Sequence, residues 1–163
     1  EALFGGELWL RASWERGSPL SPEIGLSLSH DRASGFPQPE GVADFSLSAA
    51  TLELCPVRLG SPRLHVQPCV ASTFGGLRAA GHQTFRAHTA WRPWWALGGG
   101  AQAMATAGPV AFRAAASVVH PLQRDAFRFH ADDCFDPVCN DPVFYLVASA
   151  VWSIGLGVGL SFR

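Results

Sequence analysis

Four cysteines offer the most definite chemistry in the chain, and they fall in two sequence pairs, Cys55 with Cys69 and Cys134 with Cys139. Cys55 and Cys69 flank the turn Gly60-Ser-Pro-Arg63 and are equidistant from Pro62. If that turn joins two antiparallel strands, the two cysteines stand directly opposite each other, on the face that also carries Glu53, His65 and Gln67. Facing Cβ atoms on paired strands lie about 4.5–5.5 Å apart, close enough for a disulfide after small adjustment. Cys134 and Cys139 would pin an acidic segment in the same way, and both bridges suit an oxidising compartment. The rival chemistry is metal binding, because His130, Asp132, Asp133, Cys134, Asp136, Cys139 and Asp141 crowd one stretch. Thiolate–histidine sites want tighter cysteine spacing with a second ligand pair nearby. Disulfides are therefore expected at both pairs, with no metal and no cofactor.

The charged residues Glu7, Arg11, Glu15, Glu53 and Arg113 all fall at alternate positions opposite apolar neighbours. Opposite charges enclosed together compensate one another, so these five predict an internal polar network rather than a catalytic carboxylate pair. An enzymatic alternative puts a hydrolase site among His88, His120, His130 and nearby acids, although no Ser–His or Asp–His motif supports it. Gly98-Gly-Gly100 lacks the lysine and helix of a phosphate loop. A net charge of −1 gives no electrostatic case for nucleic acid. The cluster Trp91, Trp94 and Trp95 fits an aromatic girdle at a membrane interface.

What positions these residues is a strict period of two, which only extended strands impose. From Val143 to Arg163 one face reads Phe144, Leu146, Trp152, Ile154, Leu156, Val158, Leu160 and Phe162; the other becomes Gly155, Gly157 and Gly159. A membrane helix over Val143–Leu160 is the weaker reading, since each glycine would cost it about 1 kcal/mol. Six further strands are expected. Ala2–Glu15 carries Phe4, Leu8, Leu10, Ala12 and Trp14 on its apolar face, with Trp9 the exception on the polar one. Glu23–Asp31 follows, then Ala43–Leu59, whose apolar set switches phase from Phe45, Leu47 and Ala49 to Leu52 and Leu54, as a β-bulge near Ala50 would cause. The fourth starts at Leu64 and holds Pro68, a mark against it. The last two are Ala90–Thr106 and Val110–His120. Short turns alternate with longer connections at 33–42, after Phe74 and at Pro121–Pro142.

Trp152 and Phe162 bracket Ile154, Leu156, Val158 and Leu160, a span that climbs roughly 25 Å at the usual barrel tilt. A final strand of alternating hydrophobics with an aromatic at its end resembles the C-terminal assembly signal of Gram-negative outer-membrane β-barrel proteins. The resemblance is specific for this last segment and compositional elsewhere: 48% hydrophobic and 15% charged residues, yet a mean hydropathy of only +0.14. It implies an all-β, antiparallel, up-and-down transmembrane barrel in a single domain, 1–163, located in the bacterial outer membrane. The partners implied are the lipid bilayer and, during insertion, the barrel-assembly machinery, with no catalysis. Apolar residues would then face lipid and the polar set the lumen; a soluble lipocalin-like ligand-binding barrel would require the reverse. Seven strands are visible of an expected eight. The lack of a basic start and the outer position of the first strand predict a trimmed chain, with a gap between Ala2–Trp14 and Val151–Phe162.

Overall fold

In a computed structural model, residues 3–14, 20–38, 41–82, 89–123, 126–128, 143–146 and 148–160 are described. They form β1 (Phe4–Ser13), β2 (Glu23–Gln38), β3 (Gly41–Cys55), β4 (Leu59–Gly60), β5 (Leu64–His82), β6 (Thr89–Ala107), β7 (Val110–Pro121), β8 (Ala126–Arg128), β9 (Val143–Leu146) and β10 (Val151–Leu160). Seven of them make one antiparallel sheet in the order β1-β2-β3-β5-β6-β7-β10, curled into a half-barrel. The short β4 pairs with the start of β5, and β8 pairs with β9 in a separate ladder.

Period-two patterning fixes which side of the curled sheet each residue faces. Leu10, Leu28, Val66, Phe112, Leu156 and Leu160 all lie exposed on the convex side. Ser27, His65 and Arg113 are buried on the concave side, joined by the half-buried Arg11. This is the polarity expected of a membrane barrel and the reverse of a soluble ligand-binding one. It holds only over the end nearest the β3–β5 turn. Towards the opposite end the concave side becomes apolar, with Ala43, Phe45, Leu77 and Ala79 in one buried cluster, Trp94, Ala96 and Val119 in another, and Leu47 packed against both.

That inversion corrects the expected bulge. Register runs without interruption from Leu54 to Phe45 against both neighbours of β3, so Phe45, Leu47 and Ala49 share the concave side with Glu53 and Cys55. The apolar residues change sides and the backbone does not. The shift in register lies instead in β2, between Ala33 and Phe36, where Gly35 adopts a φ of 80°.

Strands also run further than the alternation suggested. β2 continues to Gln38 and β5 to His82, so the connections expected at 33–42 and after Phe74 are largely sheet. In the other direction the chain leaves β3 at Pro56, and Leu59 belongs to β4. Pro68 sits within β5 without penalty because the β3 ladder ends at Leu54–Val70 and β4 reaches only Val66, leaving one flank of Pro68 unpaired. The final segment is not one strand. Val143–Leu146 pairs with β8, and only Val151–Leu160 joins β7. Two short turns are set by glycine: Gly108 (φ 60°) closes a two-residue hairpin between β6 and β7, and Gly60 (φ 120°) begins the turn into β5.

Six antiparallel pairings among seven strands make β1 and β10 run in the same direction. They are not paired with each other, so the expected seam between them is present. A side chain crosses it. The indole of Trp9, on the concave face of β1, lies over β10, where a Cβ added at Gly159 would stand 2.8 Å from its Cζ2 and one at Gly157 3.2 Å from its Nε1.

Candidate functional site

Four of the five charged residues expected inside do meet there, through alternate positions on β1, β3 and β7. Arg113 is the centre. Its Nη1 donates to both carboxylate oxygens of Glu7 at 3.1 Å, its Nη2 to those of Glu53 at 3.1 and 3.2 Å, and its Nε to Gln102 Oε1 at 3.0 Å. Arg11 forms a second hub, pairing with Glu23 at 2.8 Å and with Glu53. Glu15, the fifth, lies outside the described residues.

Glu23, Gln67 and Gln102 complete the network. Gln67 donates to Glu23 Oε2 at 3.2 Å, and Gln102 donates to Gln67 Oε1 at 2.9 Å. Glu23 shares the parity of Gly25 and Ser27, which marks it for the interior, but Gln102 stands among glycines and alanines that blur the two faces of its strand. The result is a continuous chain of charge-assisted bonds from β1 to β7, with Gln67 wholly buried. Each carboxylate oxygen committed to a guanidinium is unavailable as a general base, so the arrangement suits a filled interior better than proton transfer.

Cys55 and Cys69 are joined within this network, with sulfurs 1.99 Å and Cα atoms 4.1 Å apart. The alignment holds although the turn differs from expectation: Gly60 pairs with His65, and the break at Pro56–Arg58 absorbs the difference. Gln102 Nε2 donates to Cys55 Sγ at 3.4 Å, packing the bridge against the polar cluster. Cys134 and Cys139 fall outside the described residues, as do His88, His130 and the acids of 132–141.

Among the described residues the hydrogen-bond partner of His120 is a backbone carbonyl: its Nδ1 donates to Ser149 O at 2.9 Å, which makes Nδ1 the protonated nitrogen. Among the described residues a close imidazole–hydroxyl contact is found on the convex side, where His30 Nδ1 lies 2.7 Å from Ser48 Oγ. Arg32 Nε donates to His30 Nε2 at 2.8 Å, which places the His30 proton on Nδ1, facing Ser48. An imidazole in that tautomer cannot take the serine proton.

The convex face has its own continuous feature. Trp152, Ile154, Leu156, Val158 and Leu160 project from β10, with Ile154 88% exposed, and Phe162 lies outside the described residues. Leu8 and Leu10, Ile24, Leu26 and Leu28, Leu52 and Leu54, Leu64, Val66, Val70 and Phe74 continue the band across the sheet. Of the expected aromatic girdle, Trp91 and Trp95 point outwards, whereas Trp94 is buried in the concave core.

Comparison with protein-family models, with curated proteins and with solved structures finds no match. The fold and the two faces alone define the class, an all-β antiparallel half-barrel with a polar network inside and an apolar belt outside.

Proposed function

We propose that this chain is a small outer-membrane β-barrel protein of the Gram-negative type, with a structural or cell-surface interaction role and no catalysis of its own. The observation that carries this reading is the distribution of polarity at the β3–β5 end: charges inside, large apolar side chains outside. On β5 the outward apolar run from Leu64 to Phe74 gives way to Arg78, a height of about 25 Å at barrel tilt, which matches the apolar band of such proteins. Soluble proteins rarely leave contiguous apolar patches beyond a few hundred Å², and this belt crosses the whole sheet. The lipid bilayer is the principal partner on this reading, and the outward face of β10 is the segment an assembly machinery would read.

Tryptophan quenching tests it. Variants retaining only Trp152, which is 79% exposed on the convex side, or only Trp94, which is 7% exposed on the concave side, are refolded into vesicles containing brominated phospholipid. Trp152 fluorescence is expected to be strongly quenched and Trp94 fluorescence little changed. A chain that stays monodisperse in water without detergent, with Trp152 unquenched, overturns the membrane reading.

A further inference from the structure

Resting on that membrane reading, the structure assigns a binding site for a lipid bearing an exposed phosphate group, on the convex face of β2, β3 and β5. Arg32, Ser46 and Arg78 occupy one hydrogen-bonded row across the three strands, all turned outwards, with His30 and Ser48 in the adjacent row. The two guanidinium-bearing residues are separated by one intervening strand, about 10 Å between backbones. Their long side chains can converge on one phosphate from opposite sides. Among the described residues neither arginine is paired with an acid. Arg32 gives its Nε to His30, which leaves both terminal nitrogens for a ligand, and Arg78 is exposed. Asp44, further along the same face, accepts from Gly35 N at 2.9 Å.

Three features select a lipid over a free anion. One row beyond His30 and Ser48 the convex surface turns apolar, at Leu28, Ala50, Phe74 and Trp95, with Phe74 and Trp95 stacked at 5.2 Å between centroids. Further down, small residues open a depression of about 340 Å³ in the belt, walled by Leu52, Leu54, Val70 and Leu97 around Ser72 and Gly98. From Ser46 to Leu52 the strand covers about 20 Å, or roughly 15 Å along the membrane normal, half the thickness of a hydrocarbon core. A phosphate held at the arginines therefore places an acyl chain along the belt with its end in the depression. Arginine suits the headgroup because its planar fork binds phosphate oxygens in pairs and is weakly hydrated.

The test uses the full chain in detergent micelles, with native mass spectrometry counting retained lipid, and the same chain in vesicles. Phosphatidic acid is expected to be retained at least tenfold more tightly than phosphatidylcholine of the same chains. The double variant Arg32→Gln/Arg78→Gln should lose that preference while its Trp152 remains quenched in brominated vesicles. Val70→Trp, which fills the depression, should weaken long-chain phosphatidic acid more than a short-chain analogue, and millimolar inorganic phosphate should not compete. Insertion with equal retention of the two lipids, or an unchanged preference in the double variant, overturns the site but leaves the membrane reading standing. Effective competition by inorganic phosphate overturns the lipid assignment in favour of a free anion. Failure to insert overturns both.

Discussion

Arg113 shows how much one side chain is asked to hold. It bonds acids from β1 and β3 and an amide from β6, bringing together strands that are far apart in the sheet order. The network of Glu7, Glu23, Glu53, Arg11 and Arg113 contains three acids and two arginines, so losing a cation and losing an acid are not equivalent. Arg113→Met strands Glu7 and Glu53 beside a single remaining guanidinium and should destabilise by about 3 kcal/mol, the low end for a broken buried pair because Glu7 is partly exposed. Glu7→Gln leaves two acids facing two arginines and should cost under about 1 kcal/mol. Urea unfolding in micelles, followed by loss of β-sheet circular dichroism, compares the two; equal costs would show that the charges act independently. The neighbouring disulfide has a smaller part. Its short loop constrains the unfolded chain by at most about 3 kcal/mol, so Cys55→Ala/Cys69→Ala should lower the unfolding midpoint while keeping the folded spectrum, and loss of the fold on reduction would contradict that.

At the level of elements, the seam between β1 and β10 gives a sharp comparison. Gly155, Gly157 and Gly159 share the concave face of β10, yet only the last two underlie Trp9; nothing lies within 4 Å of a Cβ at Gly155. Gly159→Val should push the indole aside and cost roughly 1–3 kcal/mol, as overpacking does. Gly155→Val should be neutral or slightly stabilising, because a β-branched residue suits a strand. Reversal of that order would mean that Trp9 does not rest on β10. Trp9 also explains itself here: a large apolar residue on a polar face is anomalous by periodicity until the glycines opposite provide its seat. Sequence periodicity was most legible where inside is polar and outside apolar, which covers β1, β7, β10 and the near ends of β2, β3 and β5. It failed at the far ends, since Phe45, Leu47, Leu77 and Ala79 turn inwards and Arg32, Ser46 and Arg78 outwards. An inverted pattern has the same period, so phase alone cannot distinguish it from a bulge or a polar loop. The break before Val151 is invisible for a related reason: alternation continues from Phe144 to Leu160 across it, while the partner strand β7 stops at Pro121.

For the whole molecule, the inversion divides the half-barrel into two zones with different surroundings. One has a polar interior and an apolar exterior; the other has an apolar interior and, on β2, β3 and β5, a polar exterior, the ordinary arrangement of a sheet in water. The boundary crosses the convex face between Leu28 and His30 on β2, between Ala50 and Ser48 on β3, and between Phe74 and Arg78 on β5. If the first zone lies in lipid and the second projects beyond it, the cost of an introduced charge must depend on which side of that boundary it falls. Leu26→Arg, within the belt and paired with Leu10 and Leu52, should destabilise the folded protein in vesicles by about 1–3 kcal/mol, since its row lies between the interface and the bilayer midplane, where the penalty for arginine is greatest. Ser48→Arg, also outward and only four residues from Leu52 along β3, should cost about 0–1 kcal/mol. Denaturant titration of vesicle-embedded protein, monitored by the emission maximum of Trp152, measures both. Since both substitutions add the same side chain to the same convex surface, propensity and charge largely cancel between them, and the remaining difference reports depth. Equal penalties would place both residues in one environment, and the two-zone description with its membrane boundary would then be wrong.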